Sequence, residues 1–157
     1  MKQPKINKII TFDSDKSWTD IQNSLLIKYF NSLGLYETVN SNRILFKRNA
    51  HKANDFIKTG TKSDFFEVIR MAEVKLIKNE KHKIKIEVSI SLSYLIILSI
   101  GLGISFCLGM IYSFNEIGLT AFLIIAFLIM ILTFSIGFIN ITSKMDNLTY
   151  ELMRKNK

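Results

Sequence analysis

Hydrophobic positions in the N-terminal part of the chain recur with two different periods. In the stretch KIKIEVSISLS, residues 83–93, apolar and polar side chains alternate without a break, which predicts a strand with one buried and one solvated face. Runs of branched and aromatic side chains predict further strands at KINKIITFDS, LYETV, RILFKR and FFEVIRMAEVKLIK. The short NSN segment between LYETV and RILFKR predicts a hairpin.

One segment between the first two predicted strands has helical spacing instead. Ser17 is a suitable N-cap with Asp20 as its capping-box partner, and Gly34 predicts the C-terminal end. The apolar positions between them fall on one helix face: Trp18, Ile21, Leu25, Leu26, Tyr29, Phe30 and Leu33. The sequence therefore predicts an α+β domain in residues 1–91, with the order β-α-β-β-β-β and a mostly antiparallel sheet carrying one helix on its apolar face.

Two long apolar runs follow this domain. Leu, Ile and Phe make up 12 of 23 residues in 92–114 and 15 of 23 in 117–139. Because each run exceeds the roughly 20 residues that cross a hydrocarbon core, residues 92–142 predict a two-helix transmembrane hairpin with spans at about those positions.

The last segment, residues 143–157, is polar again and predicts a short amphipathic C-terminal helix that continues the second span. The apolar residues of this region are spaced 4-3-4: Ile141, Met145, Leu148 and Leu152. This stripe fits either a coiled-coil seam or packing against the N-terminal domain.

Charge is distributed unevenly along the chain. The net charge is +8, residues 1–91 contain 17 Lys and Arg against 10 Asp and Glu, and Glu116 is the one charge in 92–142. Lys and Arg flank the hairpin but are absent from the link between its spans, so the positive-inside rule predicts that both termini are cytoplasmic and that the hairpin crosses the cell (inner) membrane. No signal-peptide core precedes the first span.

The first apolar run alternates small and bulky residues in SIGLGISFCLG, residues 99–109. At about 100° per residue, a helix separates the small residues into two ridges on nearly opposite sides. The first ridge is Gly101, Ser105, Gly109 and Ser113, and the second ridge is Ser99, Gly103 and Cys107.

Small residues at this spacing let membrane helices approach closely. One ridge therefore predicts contact with the second span, and the other predicts contact with another copy of this chain, in a homo-oligomer of three or more. If the hairpins form a pore, Ser99, Ser105 and Ser113 line it, and Glu116 forms a ring of carboxylates at its mouth.

A basic stretch with interleaved aromatic residues spans positions 43–62 and is the candidate site for an anionic ligand, such as a nucleotide or an oligonucleotide. Its candidate ligand-binding residues are Arg43, Lys47, Arg48, His51, Lys52, Lys58 and Lys62. The alternative is a solvated loop whose charge attracts the anionic headgroups of the bilayer.

No catalytic or metal-binding pattern occurs in the sequence. It contains no phosphate-cradling Gly motif, no nucleophile elbow and no zinc spacing, and its one cysteine, Cys107, lies in a predicted span. Asp13, Asp15 and Asp20 cluster at the start of the predicted helix, where capping accounts for them. We therefore expect no enzyme activity, no cofactor and no metal.

Two functions fit these features. In the first, the protein is a homo-oligomeric membrane effector whose basic cytoplasmic domain senses an anionic ligand or partner and whose hairpins form an ion-conducting pore or perturb the bilayer. This layout resembles the small membrane effectors of bacterial antiviral systems, which join a sensing domain to a few membrane helices. In the second, the hairpin only anchors an adaptor that recruits a cytoplasmic protein partner. The two differ because a pore needs a continuous polar path along the oligomer axis.

Overall fold

The computed structural model describes residues 3–40, 43–48, 69–80, 82–113 and 119–155. The strands in these ranges are β1 (Lys5–Asp13), β2 (Tyr36–Asn40), β3 (Arg43–Lys47), β4 (Met71–Glu80) and β5 (Lys83–Ser91). Helix α1 occupies residues 18–32 as three consecutive stretches, which are α-helical Trp18–Ile21, π-helical Gln22–Leu26 and α-helical Ile27–Ser32. Helices α2 (Ser93–Ser113) and α3 (Leu119–Lys155) follow.

The described strands form one antiparallel sheet in the order β1-β5-β4-β3-β2. Strand β5 pairs along its whole length with β1, from Ser91 opposite Lys5 to Lys83 opposite Asp13. On its other side β5 pairs with β4, whose register shifts between Leu76 and Lys78. The predicted antiparallel sheet, followed by two long apolar helices, is confirmed.

Both predicted ends of α1 are confirmed. The Ser17 hydroxyl accepts a hydrogen bond from the Asp20 amide at 3.2 Å, as an N-cap does. The Asp20 carboxylate accepts from the Ser17 hydroxyl at 2.6 Å, rather than from the Ser17 amide as in a capping box. Gly34 has φ +70°, a conformation that costs glycine little. The amides of Gly34 and Leu35 donate to the carbonyls of Asn31 and Phe30, which completes a Schellman motif.

The alternation in the strands places one apolar face against the helices. The inward side chains of β5 are Ile84, Ile86, Val88 and Ile90, all at most 2 % exposed. They share one core with α1, in which the rings of Phe30 and Phe46 stack at 4.3 Å between centroids.

The sheet face carries a second helical segment, in one of the two placements that the sequence left open. Helix α3 runs unbroken from Leu119 to Lys155, about 55 Å at 1.5 Å per residue, so the C-terminal helix is the end of the second apolar helix and not a separate element. The four residues of its 4-3-4 stripe are buried in the core of the sheet domain: Ile141, Met145, Leu148 and Leu152. Of the two interpretations of that stripe, the structure shows packing on the domain.

Polar contacts fix the C-terminal segment of α3 in place. The Tyr29 hydroxyl on α1 donates to the Lys144 carbonyl at 2.5 Å, and Lys8 on β1 pairs with Asp146 at 2.5 Å. Burial, with the Glu151 carboxylate adding to it, raises the pKa of Tyr29 to about 12. The hydroxyl therefore keeps its proton, and can donate, at more alkaline pH than an exposed tyrosine.

Helices α2 and α3 are both long and apolar enough to cross a membrane, and both connect to the sheet without a linker. Only Leu92 separates β5 from α2, and its amide donates to the Pro4 carbonyl at 2.9 Å. Since α3 enters the core as a continuous helix, the hairpin and the sheet domain are joined rigidly at two places.

Truncating Leu148 tests whether the C-terminal segment of α3 belongs to the core. Leu148→Ala removes a side chain that is 1 % exposed, and we expect it to lower the free energy of unfolding by about 2–5 kcal/mol. The control Met153→Ala alters a side chain that is 47 % exposed and should change stability by less than about 0.5 kcal/mol. Thermal unfolding in detergent measures both, and equal effects would contradict the packing described here.

Candidate functional site

One side of α2 packs closely against α3. Ser99 is 4 % exposed, and its hydroxyl donates to the Leu95 carbonyl of its own helix at 2.8 Å. A Cβ at Gly103 would lie 3.1 Å from the Ala126 carbonyl oxygen and would collide with the Met130 side chain. Gly103 is therefore small because the backbone of α3 passes directly against it.

The same close packing recurs on α3 near the sheet. A Cβ at Gly137 would collide with the side chain of Leu95, which is fully buried. Cys107, the third member of the ridge that contains Ser99, is half-buried. This ridge and Gly137 thus hold the two helices of the hairpin together.

The other ridge of α2 has no neighbour in the described part of the chain. Gly101, Ser105 and Gly109 are exposed, and a Cβ at either glycine would meet nothing within 4 Å. Ser113 is the last residue of α2, but its side chain lies outside the described part of the structure, as does the whole of Glu116. The structure therefore leaves one small-residue ridge occupied and the other open.

The hydroxyls proposed to line a pore are not all on one side of the helix. Ser99 is buried between α2 and α3, whereas Ser105 lies on the open ridge. Beside Ser99 is a groove of about 240 Å³, open to the side and almost wholly apolar. Its lining residues are Ile96, Ser99, Ile100, Met130, Ile131, Phe134 and Ser135.

The described cations of the basic stretch point in different directions. Arg43 lies on the outer face of the sheet and pairs with Glu73 at 2.5 Å, and Lys47 is exposed at the end of β3. Arg48 instead donates to the Leu33 carbonyl at 2.8 Å and so caps the end of α1. His51, Lys52, Lys58 and Lys62 lie outside the described residues. The structure does not bring Arg43 and Arg48 together in one site.

The outer face of the sheet carries a small ion cluster around Glu73. Its carboxylate contacts Arg43 from β3 and Lys5 from β1, the latter at 3.0 Å. The hydrogen bond from Arg43 holds the pKa of the Glu73 carboxyl below its ordinary value, against the opposing effect of burial, and Lys5 adds to the lowering. Two cations of this face are thus already neutralised in part.

Two further contacts are made by side chains for which the sequence predicts no binding role. One of them, Asp15, is predicted from the sequence to cap the helix. The guanidinium of Arg70, just before β4, lies 4.2 Å from the ring centroid of Tyr94 in the first turn of α2. His82, at the turn between β4 and β5, has Nδ1 2.5 Å from the Asp15 carboxylate. No sequence spacing reveals either pair, because sheet pairing and the β5–α2 junction create them.

The described residues offer no metal site. No three His, Cys, Asp or Glu side chains within these ranges group closely enough to hold an ion. Asp20 serves as the capping partner of Ser17, and Asp15 contacts His82. The expectation that the protein is not an enzyme stays a prediction.

The chain matches no protein-family model, no curated protein and no solved structure. Function is therefore inferred from the geometry of this chain alone.

The lowered pKa of Glu73 predicts that part of the stability of the fold is lost at acidic pH. A carboxyl whose pKa is lower in the folded state stabilises the fold above its unfolded pKa of about 4.3 and loses that contribution as pH falls through the folded value. We expect Glu73→Gln to remove this component, so that its stability falls less steeply below about pH 4.3. Unfolding followed across acidic pH measures the difference, and parallel curves for the two proteins would exclude it.

Proposed function

We propose that this protein is a homo-oligomeric membrane effector, in which the sheet domain receives an anionic ligand or partner and the assembled hairpins act on the bilayer. The observation that carries the proposal is the contrast between the two ridges of α2. Gly103 has a helix against its backbone, while Gly101 and Gly109, on the other side of the same helix, have open space.

The occupied ridge supports a second copy as the occupant of the open one. In this hairpin, small residues on α2 already admit a helix at backbone distance, as Gly103 does for α3. Between membrane helices, which gain little from burying apolar surface in lipid, such ridges are the favoured contact. Another α2 helix, whose own ridge is equally small, fits the open side closely.

The outer face of the sheet is the proposed receiving surface. The register places seven cations there against four carboxylates among the described residues. The cations are Lys5, Arg43, Lys47, Lys75, Lys78, Lys83 and Lys85, and the carboxylates are Asp13, Glu73, Glu80 and Glu87. This excess favours an anionic ligand such as an oligonucleotide, or an acidic protein surface. With both termini in the cytoplasm, the surface faces the cytoplasmic side of the membrane.

The rigid junction supports transmission between this surface and the bilayer. Strand β5 lies between β1 and β4 in the sheet and continues into α2 through Leu92 alone. Residues 141–152 of α3 form part of the core. A ligand that shifts the sheet therefore displaces both helices together.

An anchored adaptor without a pore is the second candidate, and the position of Ser99 favours it. Because that hydroxyl is buried and bonded to the Leu95 carbonyl, it supplies no polar lining. Among the described helical residues, the exposed outer surface of the hairpin is mainly Ile, Leu and Phe. A pore then depends on Ser105, on Ser113 and on the proposed ring of Glu116.

Leucine on the open ridge tests the proposed assembly. We expect wild-type protein to form a defined oligomer of three or more copies in native mass measurements, and Gly101→Leu or Gly109→Leu to yield monomers, since the added side chain separates the helix backbones. Ile124→Leu on α3, at a position that is 61 % exposed, is the matched control and should assemble normally. A monomeric wild type, or assembly of both glycine variants, would refute the ridge contact.

Ion flux across liposomes separates the two candidates. An effector pore should release ions in the wild type and lose this activity in Gly101→Leu, whereas an anchored adaptor should show no flux in either protein. An oligomer that conducts nothing would remove the pore and leave the adaptor.

A further inference from the structure

Arg70 occupies the end of the sheet from which the hairpin emerges. It lies two positions before Ala72, which pairs with Ile90 on β5, so it sits beside Leu92 at the start of α2. Arg48 lies opposite Arg70, and its backbone N–H donates a hydrogen bond to the Arg70 carbonyl at 3.1 Å. The side chain therefore stands at the border between the polar sheet and the apolar helices.

The guanidinium of Arg70 is held by an aromatic ring and has no carboxylate partner among the residues that the structure describes. It stacks on the Tyr94 ring at 4.2 Å from the centroid, a cation–π arrangement that fixes the plane of the group. Its Nε is buried and has no hydrogen-bond partner in the described part of the chain. Because the residue as a whole is only half-buried, the terminal amino groups of the guanidinium remain available as donors to an anion.

A phosphate is the group that best completes this arrangement. The guanidinium presents a planar fork of donors whose spacing matches two oxygens of a phosphate, and one face of the fork is already occupied by Tyr94. Aromatic residues such as Tyr94 at the ends of apolar helices lie at the level of lipid headgroups. The phosphates of the bilayer are therefore at the height of Arg70.

The surrounding charges favour an anionic lipid over a neutral one. Lys47 is exposed at the same end of the sheet, and Lys5 lies there on β1, opposite Ser91. The nearby carboxylate of Glu73 is neutralised by Arg43 and Lys5. Tyr36 on β2 pairs with Lys47 at this end of the sheet, and the carboxylate of Glu37 follows it one residue further from the end.

We propose that Arg70, held against Tyr94, binds the phosphate of an anionic phospholipid headgroup at the junction of the sheet and the hairpin. The proposal rests on the membrane crossing of the hairpin but not on its assembly. The bound headgroup would fix the sheet domain relative to the bilayer surface and accept hydrogen bonds from the terminal amino groups of the Arg70 guanidinium.

Lipid adducts on the full-length protein, released from neutral detergent and counted by native mass spectrometry, test the site. Wild-type protein titrated with phosphatidylglycerol should retain it in preference to phosphatidylcholine. Arg70→Gln should weaken phosphatidylglycerol binding about fivefold, equivalent to ~1 kcal/mol for one basic group at the surface. Lys16→Gln makes the same charge change at an exposed position near the β4–β5 turn, at the opposite end of the sheet, and should bind as the wild type does.

Two further variants keep the test decisive if Arg70→Gln folds poorly. Arg70→Lys keeps the charge but loses the fork and should bind with intermediate affinity, and Tyr94→Leu should weaken binding although Arg70 is intact. Equal binding by Arg70→Gln and wild type, or equal loss in Lys16→Gln, would overturn the proposal. Displacement of the lipid by inorganic phosphate at a similar concentration would also overturn it, in favour of a free-phosphate site. Oligomeric mass recorded in the same spectra reports separately on the proposed assembly.

Discussion

The burial of α3 against the sheet is the contact on which the rest of the structure depends. Val88 and Ile90 on the apolar face of the sheet lie beside Met145 and Leu148 of this helix, and without residues 141–152 this part of the face would lose that cover. The fold of the sheet domain therefore requires the last segment of the chain, which is reached only through the apolar hairpin. Sheet and hairpin consequently form one structural unit.

This dependence explains how small residues are used in the hairpin. Since α2 and α3 are fixed at the sheet, the separation between them must be set along their whole length, and Gly137 and Gly103 permit the approach at two levels. Gly101 and Gly109 have no neighbour at this distance among the residues that the structure describes. Glycine in a helix interior costs about 1 kcal/mol relative to alanine, and the proposed contact between chains would account for its occurrence on this side of α2.

Local patterns in the sequence are sufficient to predict most of the fold. Alternation gave β5, Ser17 and Gly34 gave both ends of α1, and the apolar runs gave the hairpin helices. The placement of residues 141–152 could not be derived, because a 4-3-4 stripe fits a coiled coil and a sheet face equally well. The candidate site could likewise be predicted only in part from the sequence. The two ridges follow from helical geometry, but which ridge faces α3 depends on the direction in which α2 leaves the sheet.

The junction between the sheet and the hairpin contains both charged side chains and the contacts that connect the helices to the sheet. Arg48 caps the end of α1 through the Leu33 carbonyl, Arg70 stacks on the first turn of α2, and Tyr29 bonds the α3 backbone at Lys144. The first two interactions tie α1 and α2 to one end of the sheet, and the third ties α3 to α1. A ligand of the kind proposed, whether a headgroup or an anion on the outer face, would act on both apolar helices through these few contacts. The proposed coupling needs no hinge, because the sheet and residues 141–152 of α3 share one core.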